Sequence, residues 1–290
     1  MNRIGAALAA VMLLVPLAAC TVSGTVVATE TVEEHIEVES GPLISVETFN
    51  GRISVVTGSD TMIDARIVKR GSGTSQAEAE RDLRQLVIDV VEDPGRVTIA
   101  VRRADAPVSL GNSGADIELA VPIDSSLELR TSNGRIESAN VRGSIVARSS
   151  NSGVTIRDGT DVDAETSNGP LTVNAASGEL KLRTSNGALD IIGAQDALVT
   201  AETMNGPITF SGTPAPGAHA FRTTNAPITL ALPVDAEFTM IGHTSNATIR
   251  TAFPTLLVLE DSITGRVGDD PEVAIRADTS NGDLTVTSQP

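Results

Sequence analysis

The tetrapeptide Thr-Ser-Asn-Gly, intact or lightly altered, returns nine times in this chain. The copies are Thr48-Phe49-Asn50-Gly51, Thr131-Ser132-Asn133-Gly134, Ser149-Ser150-Asn151-Ser152, Thr166-Ser167-Asn168-Gly169, Thr184-Ser185-Asn186-Gly187, Thr203-Met204-Asn205-Gly206, Thr223-Thr224-Asn225-Ala226, Thr244-Ser245-Asn246-Ala247 and Thr279-Ser280-Asn281-Gly282. From Asn133 onward the asparagines fall 18, 17, 18, 19, 20 and 21 residues apart, then 35. A short period of this kind cannot enclose a core of its own. It marks a solenoid, in which each repeat buries its apolar face only against its neighbours.

The residues around each asparagine say what a repeat contains. Three positions after it stand Ile53, Ile136, Val154, Leu171, Leu189, Ile208, Ile228, Ile249 and Leu284, apolar in every copy. Five positions after it most copies are apolar again, so these two offsets share one face of a strand. Six before it come Ile44, Leu127, Ile145, Val162, Leu180, Val199, His219, Met240 and Ile275. Each repeat therefore reads as strand, corner, strand, loop. The inward parity is expected to run through the threonine and asparagine and to slip by one residue across the glycine, which means a turn there. Glycine and asparagine tolerate the positive φ that such a turn calls for. With successive rungs paired in parallel about 4.8 Å apart, the asparagines stack and their amides bond from rung to rung. A second, looser corner is marked by Gly143, Gly159, Gly178, Gly193 and Gly212.

The two ends differ from the repeats. Residues 1–19 carry one charge, Arg3, and an apolar run from Ile4 to Val15, the pattern of a secretory signal peptide. Leu17-Ala18-Ala19-Cys20 resembles the lipobox of bacterial lipoproteins, which implies cleavage before Cys20 and its lipidation. Cys20 is the only cysteine, so no disulfide accounts for it. Residues 20–31 form the lipidated cysteine and spacer. Glu30, Glu33, Glu34, Glu37 and Glu39 then accompany Val32, Ile36 and Val38 as a first strand with a solvated acidic edge. Ser75-Gln76-Ala77-Glu78 is a capping box, and Ala79, Leu83, Leu86 and Val90 follow at helical spacing. One amphipathic helix is expected near 75–86, covering the open edge of the first rung. Residues 32–125 thus make an N-terminal β segment with a capping helix, continuous with β-solenoid repeats over 126–290.

Taken together, the capped helix, Val97-Thr98-Ile99-Ala100-Val101, Leu119-Ala120-Val121-Pro122 and the repeats from Leu127 to the closing Ala277-Asp278-Thr279-Ser280-Asn281-Gly282-Asp283-Leu284 resemble the bacterial putative-adhesin family of β-strand-repeat proteins. The resemblance covers most of the mature chain. It implies an all-β, right-handed parallel β-helix with rungs of about 18–20 residues, a secreted or membrane-tethered setting, and no catalytic residues to carry over.

Composition narrows the function classes. The chain has 21 Lys and Arg against 37 Asp and Glu, a formal charge of −16. Loss of Arg3 with the signal peptide makes it −17. That balance, with no basic patch and interleaved aromatics, argues against nucleic acid. Five phenylalanines with no tyrosine or tryptophan argue against a small, tight epitope and for broad, polar, repeated contacts. His35, His219 and His243 show no metal-ligand spacing, and His219 sits at an inward position as a structural histidine. Asp158, Asp161, Asp163 and Glu165 match no calcium motif and read as a solvated loop. Asn246-Ala247-Thr248 is a sequon without a context that uses it. No cofactor or metal is expected.

The leading expectation is a non-catalytic, lipid-anchored cell-envelope protein, adhesin-like or scaffolding. It is held at the membrane through Cys20 and exposed to an envelope protein or polysaccharide partner. Two other readings stay open. One is an envelope-stress sensor or accessory protein that takes a peptide or lipid along the loose corner. The other is a polysaccharide-acting β-helix enzyme using outward residues among Arg130, Arg148, Arg157, Arg183, Asp163 and Asp190. The three arginines at the offset before the threonine read more simply as a charge ladder with Glu128 and Glu165.

Overall fold

A computed structural model describes residues 25–39, 41–104 and 113–290. The signal peptide and Cys20 lie outside the described residues. In chain order come Val26–Glu37 (β1), Leu43–Thr48 (β2), Ile53–Thr57 (β3), Met62–Gly73 (β4), Gln76–Leu83 (α1), Leu86–Asp93 (β5), Arg96–Arg103 (β6) and Gly114–Val121 (β7). The regular repeats follow as Ser126–Thr131 (β8), Ile136–Ala139 (β9), Ser144–Ser149 (β10), Val154–Arg157 (β11), Thr160–Thr166 (β12), Leu171–Asn174 (β13), Ser177–Thr184 (β14), Leu189–Glu202 (β15) and Ile208–Pro214 (β16). The chain ends with Gly217–Arg222 (β17), Ile228–Pro233 (β18), Phe238–His243 (β19), Ile249–Thr251 (β20), Leu256–Val258 (β21), Ser262–Val267 (β22), Val273–Asp278 (β23) and Leu284–Gln289 (β24).

The chain is an all-β solenoid. Strands before each corner build a first sheet in the order β5-β6-β2-β8-β10-β12-β14-β15-β17-β23-β19-β22-β21. Strands after each corner build a second, β1-β4-β7-β3-β9-β11-β13-β15-β16-β18-β24-β20. The long β15 bends from one sheet into the other. All pairings between rungs are parallel, and the antiparallel ones lie at the two ends. Residues six and four before the asparagine meet residues three and five after it between the sheets. Ile145, Ala147, Ile156, Leu171, Leu180, Leu182, Leu189 and Ile191 are all fully buried there.

The rungs do not stack in sequence order. Near the N-terminus the β6–β7 rung lies outside the earlier β2–β3 rung, and the chain then steps past both to β8. Near the C-terminus the opposite happens. β19 and β20 are laid down one rung too far, a hairpin of β21 and β22 covers β19, and β23–β24 return to fill the gap. The 35-residue interval before Asn281 is this detour, so the simple stack of consecutive repeats expected from the spacing is corrected at both ends.

Three further expectations are corrected. The helix is shorter than 75–86: it stops at Leu83, and Leu86 and Val90 belong to β5, paired with Arg103 and Ile99. Those residues satisfy a helical period and a strand period alike, and pairing with β6 decides. Ser75 Oγ still accepts from Glu78 N at 3.3 Å, while the Glu78 carboxylate turns back to Thr74 N at 2.9 Å. Nor does the helix cover the first rung. Antiparallel β4 and β5 pair with that rung's strands β7 and β6, while α1 lies on β4. At Gly71 a Cβ would stand 2.3 Å from Ala79 O, so the glycine lets helix and strand backbones touch.

The corner itself is the third correction. The threonine points inward, but Asn133, Asn151, Asn168, Asn186, Asn205, Asn225, Asn246 and Asn281 are exposed and the next residue turns in again. None of the corner asparagines or glycines has a positive φ. Those conformations belong to the looser corner, at Asn140, Asp158, Asp161, Ala175, Gly178, Gly193, Asp196 and Gly212.

Candidate functional site

Three columns run parallel to the solenoid axis. The first is the corner. Seven side-chain bonds join eight asparagines: Asn151 Nδ2 donates to Asn133 Oδ1 at 2.7 Å, Asn168 to Asn151 at 3.0 Å, Asn186 to Asn168 at 2.8 Å, Asn205 to Asn186 at 2.8 Å, and Asn225 to Asn205 at 2.7 Å. Asn281 donates to Asn225 and Asn246 to Asn281, both at 2.8 Å, which follows the spatial order of rungs rather than the chain. Asn50 stands outside this ladder, its Nδ2 donating to Ser113 O at 3.0 Å.

Behind the asparagines the buried hydroxyls do more. Thr184 Oγ1 donates to Gly169 O at 3.1 Å and accepts from Gly187 N at 3.2 Å. The same double bond forms at Thr131, Ser149, Thr166, Thr203 and Thr279. Each of these six hydroxyls thus closes its own corner and ties it to the neighbouring rung, satisfying its own proton and the corner N–H together. Glycine follows for a steric reason. A Cβ at Gly187 would lie 1.8 Å from Gly169 O, and one at Gly206 1.7 Å from Gly187 O. Where alanine replaces it, at Ala226 and Ala247, the closing bond to the threonine is absent among the described residues.

The second column faces outward on the first sheet, three residues before each asparagine. In spatial order it reads Glu47, Arg130, Arg148, Glu165, Arg183, Glu202, Arg222, Asp278, His243. Charge alternates at six of the eight steps, the exceptions being Arg130–Arg148 and Asp278–His243. Arg148 lies 3.5 Å from Glu165, Arg183 3.4 Å from Glu202, and Arg222 3.5 Å from Asp278. Arg148 also reaches Asp163 at 2.7 Å. Beside this column, Glu165, Arg183, Glu202, Arg222, Ser185 and Met204 border a shallow groove of about 420 Å³. Sequence reasoning picked out Arg130, Arg148, Arg183 and Glu165 here but passed over Glu47, Glu202, Arg222, Asp278 and His243, although all share one offset.

The third column, four residues after the asparagine, faces outward on the second sheet and is largely uncharged. In spatial order it reads Ser54, Glu137, Thr155, Thr172, Asp190, Thr209, Thr229, Thr285 and Arg250, with the threonines in its middle. Asp190 therefore lies on a different sheet from Arg130, Arg148, Arg183 and Asp163, and Arg157 sits at the loose end of β11. The residues considered for polysaccharide chemistry do not converge.

The other candidates have local roles. His219 is 2% exposed; its Nδ1 accepts from Val199 N at 3.2 Å and its Nε2 donates to Ala215 O at 2.8 Å, which fixes a neutral ring. Burial pushes its pKa down, against the opposing pull of the Ala215 carbonyl. His35 pairs with Asp64 at 2.6 Å on the exposed N-terminal sheet. Asp161 Oδ1 accepts from Glu179 N at 2.8 Å, while Asp163 and Glu165 point out from β12. No group of three metal-ligating side chains occurs among the described residues. Sequence reasoning missed Asp82, which holds Ser72 N at 2.8 Å, the Ser113 hydroxyl, and Arg103 Nη1 at 2.7 Å. Burial raises its pKa, but these partners outweigh it and hold the carboxyl below its usual range.

No family model matches the chain, and no curated protein does. Several solved structures are similar to it. A putative adhesin from Bacteroides fragilis shares 10% identity over 89% of this chain and 97% of its own, with a TM-score of 0.49. A putative adhesin from Parabacteroides distasonis shares 13% over 90% and 97%, with a TM-score of 0.44. A putative cell adhesion protein from Clostridium sporogenes shares 10% over 90% and 100%, with a TM-score of 0.26. The functional reading therefore rests on this chain's own geometry.

Proposed function

We propose that this chain is a non-catalytic, lipid-anchored protein of the cell envelope that acts through its outward columns, as an adhesin-like or scaffolding module. The observation that carries this reading is the alternating column from Glu47 to His243. Its charged groups recur once per rung, about 4.8 Å apart. A contact made at one rung is therefore offered again at the next, and weak contacts gain strength by repetition. Catalysis needs the reverse, a few groups converging on one reacting atom. Arg183 and Arg222 stand on alternate rungs, separated by Glu202, and border the groove where a linear polymer or a partner's surface lies along the axis.

Lipidation of Cys20 is part of this proposal and is supported by the Leu17-Ala18-Ala19-Cys20 sequence. β1 begins at Val26 and so takes in residues 26–31 of the stretch expected as spacer, and an anchor at Cys20 would stand close to the N-terminal end of the solenoid. Acyl chains hold in proportion to their buried methylenes.

Particles coated with the purified mature chain, washed over immobilised envelope fragments, test the binding role. Retention is expected, with reduction by Arg183→Ala combined with Arg222→Ala. Equal retention of the variant would remove the column from the account. Release of new reducing ends from the fragments would replace binding with hydrolysis.

A further inference from the structure

Six corners place an asparagine directly before glycine, the sequence in which an asparagine side chain is most open to attack by the following backbone nitrogen. The solenoid restrains that reaction at five of them. At Asn133, Asn168, Asn186, Asn205 and Asn281 the glycine N–H is held by the corner threonine, at 3.2–3.3 Å. At Asn168, Asn186, Asn205 and Asn281 the side-chain amide is also held on both sides, donating to one asparagine and accepting from another. Neither the nucleophile nor the electrophile is free to turn toward the other.

Asn50-Gly51 differs on both counts. Thr48 Oγ1 donates to Ala115 O at 3.2 Å, and among the described residues Gly51 N has no hydrogen-bond partner. Asn50 Nδ2 reaches Ser113 O, but the bond that would bring Asn133 Nδ2 to Asn50 Oδ1 is not made. The ladder breaks between these two rungs, where the chain also steps out of stacking order. Asn133 is intermediate, with its glycine held and its amide bonded on one side only.

We propose that Asn50 is a site of spontaneous covalent conversion, the point at which this otherwise protected array ages. The Gly51 nitrogen attacks Asn50 Cγ, forming an N–Cγ bond and a five-membered imide. The Cγ–Nδ2 bond breaks, and the departing nitrogen takes the proton lost by Gly51 and leaves as ammonia. Solvent water then opens the imide at either carbonyl, giving aspartate or isoaspartate. The product carries a new negative charge facing the Ser113 carbonyl, at the seam between the N-terminal rungs and the regular stack. No enzyme or cofactor is required.

The test is peptide mapping by mass spectrometry after the native mature protein and the urea-unfolded chain are held in mildly alkaline buffer. In the native protein Asn50 is expected to convert at least several-fold faster than Asn168, Asn186, Asn205 and Asn281, with Asn133 between. In the unfolded chain all six should converge on similar rates. Native conversion at Asn50 no faster than at Asn186 would overturn the proposal, as would the same ranking in urea. Thr184→Val, which frees the Gly187 N–H, should raise conversion at Asn186. Should that variant not fold, the ranking within the unaltered protein decides alone.

Discussion

At the scale of single residues, the four positions of the repeat contribute unequally. Thr184 is buried and makes two bonds, so Thr184→Val leaves the Gly169 carbonyl and the Gly187 N–H without partners, at about 1–3 kcal/mol. Asn186 is exposed, and water replaces most of what its ladder bonds supply. Asn186→Ala should cost no more than about 1 kcal/mol. Gly187→Ala forces two carbonyl-bearing rungs apart and should cost more than either, on the order of 3 kcal/mol. Urea unfolding of the three variants checks the ranking. His219 gives a pH dependence. Its folded pKa lies below its unfolded value near 6.5, so below about pH 6.5 the unfolded chain binds the extra proton and the folded chain resists it. Stability is therefore full above that pH and falls as the pH drops. His219→Leu should flatten this part of the profile, although losing the acceptor for Val199 N lowers stability at every pH. The sequence made the period and the inward aliphatics legible but misassigned the corner. Periodicity finds where parity slips, whereas the reason for glycine, a carbonyl under 2 Å from its absent Cβ, exists only once rungs are stacked.

At the scale of elements, the decisive feature is the late return of β23 and β24. They separate β17–β18 from β19–β20, and Ile275, Ala277, Leu284 and Val286 complete the core between those rungs. Leu284→Ala should cost about 2–5 kcal/mol although only six residues follow it in the sequence. Removal of residues 271–290 should yield insoluble protein, because it uncovers unpaired strand edges on both sides of the gap. Solubility and thermal unfolding of the two forms test this; a truncated chain with unaltered melting would mean the last rung is peripheral. The stacking order was not legible, since local pattern gives each strand's inward face but not its neighbour. Only the 35-residue interval hinted at a detour. The helix was legible at its start, where Ser75 caps it, and not at its end, where Leu86 and Val90 suit either period.

At the scale of the whole molecule, two sheets share one core and present different exteriors, one with alternating charge and one rich in threonine. The corner and the aliphatic positions hold the rungs, and the outward columns take little part in that. Cys20→Ser should move the protein from the membrane fraction to the soluble one, and persistence at the membrane would point to another anchor. The most direct test of this division is retention on envelope fragments measured beside melting temperature for Thr131→Val, which removes the same two corner bonds away from the groove, and for Arg183→Ala combined with Arg222→Ala. Thr131→Val should lower the melting temperature and, while folded, bind as the parent does. The double variant should melt close to the parent, since exposed ion pairs contribute about 0–1 kcal/mol, and lose retention. The reverse outcome, with binding lost through the buried threonine and kept without the arginines, would contradict it.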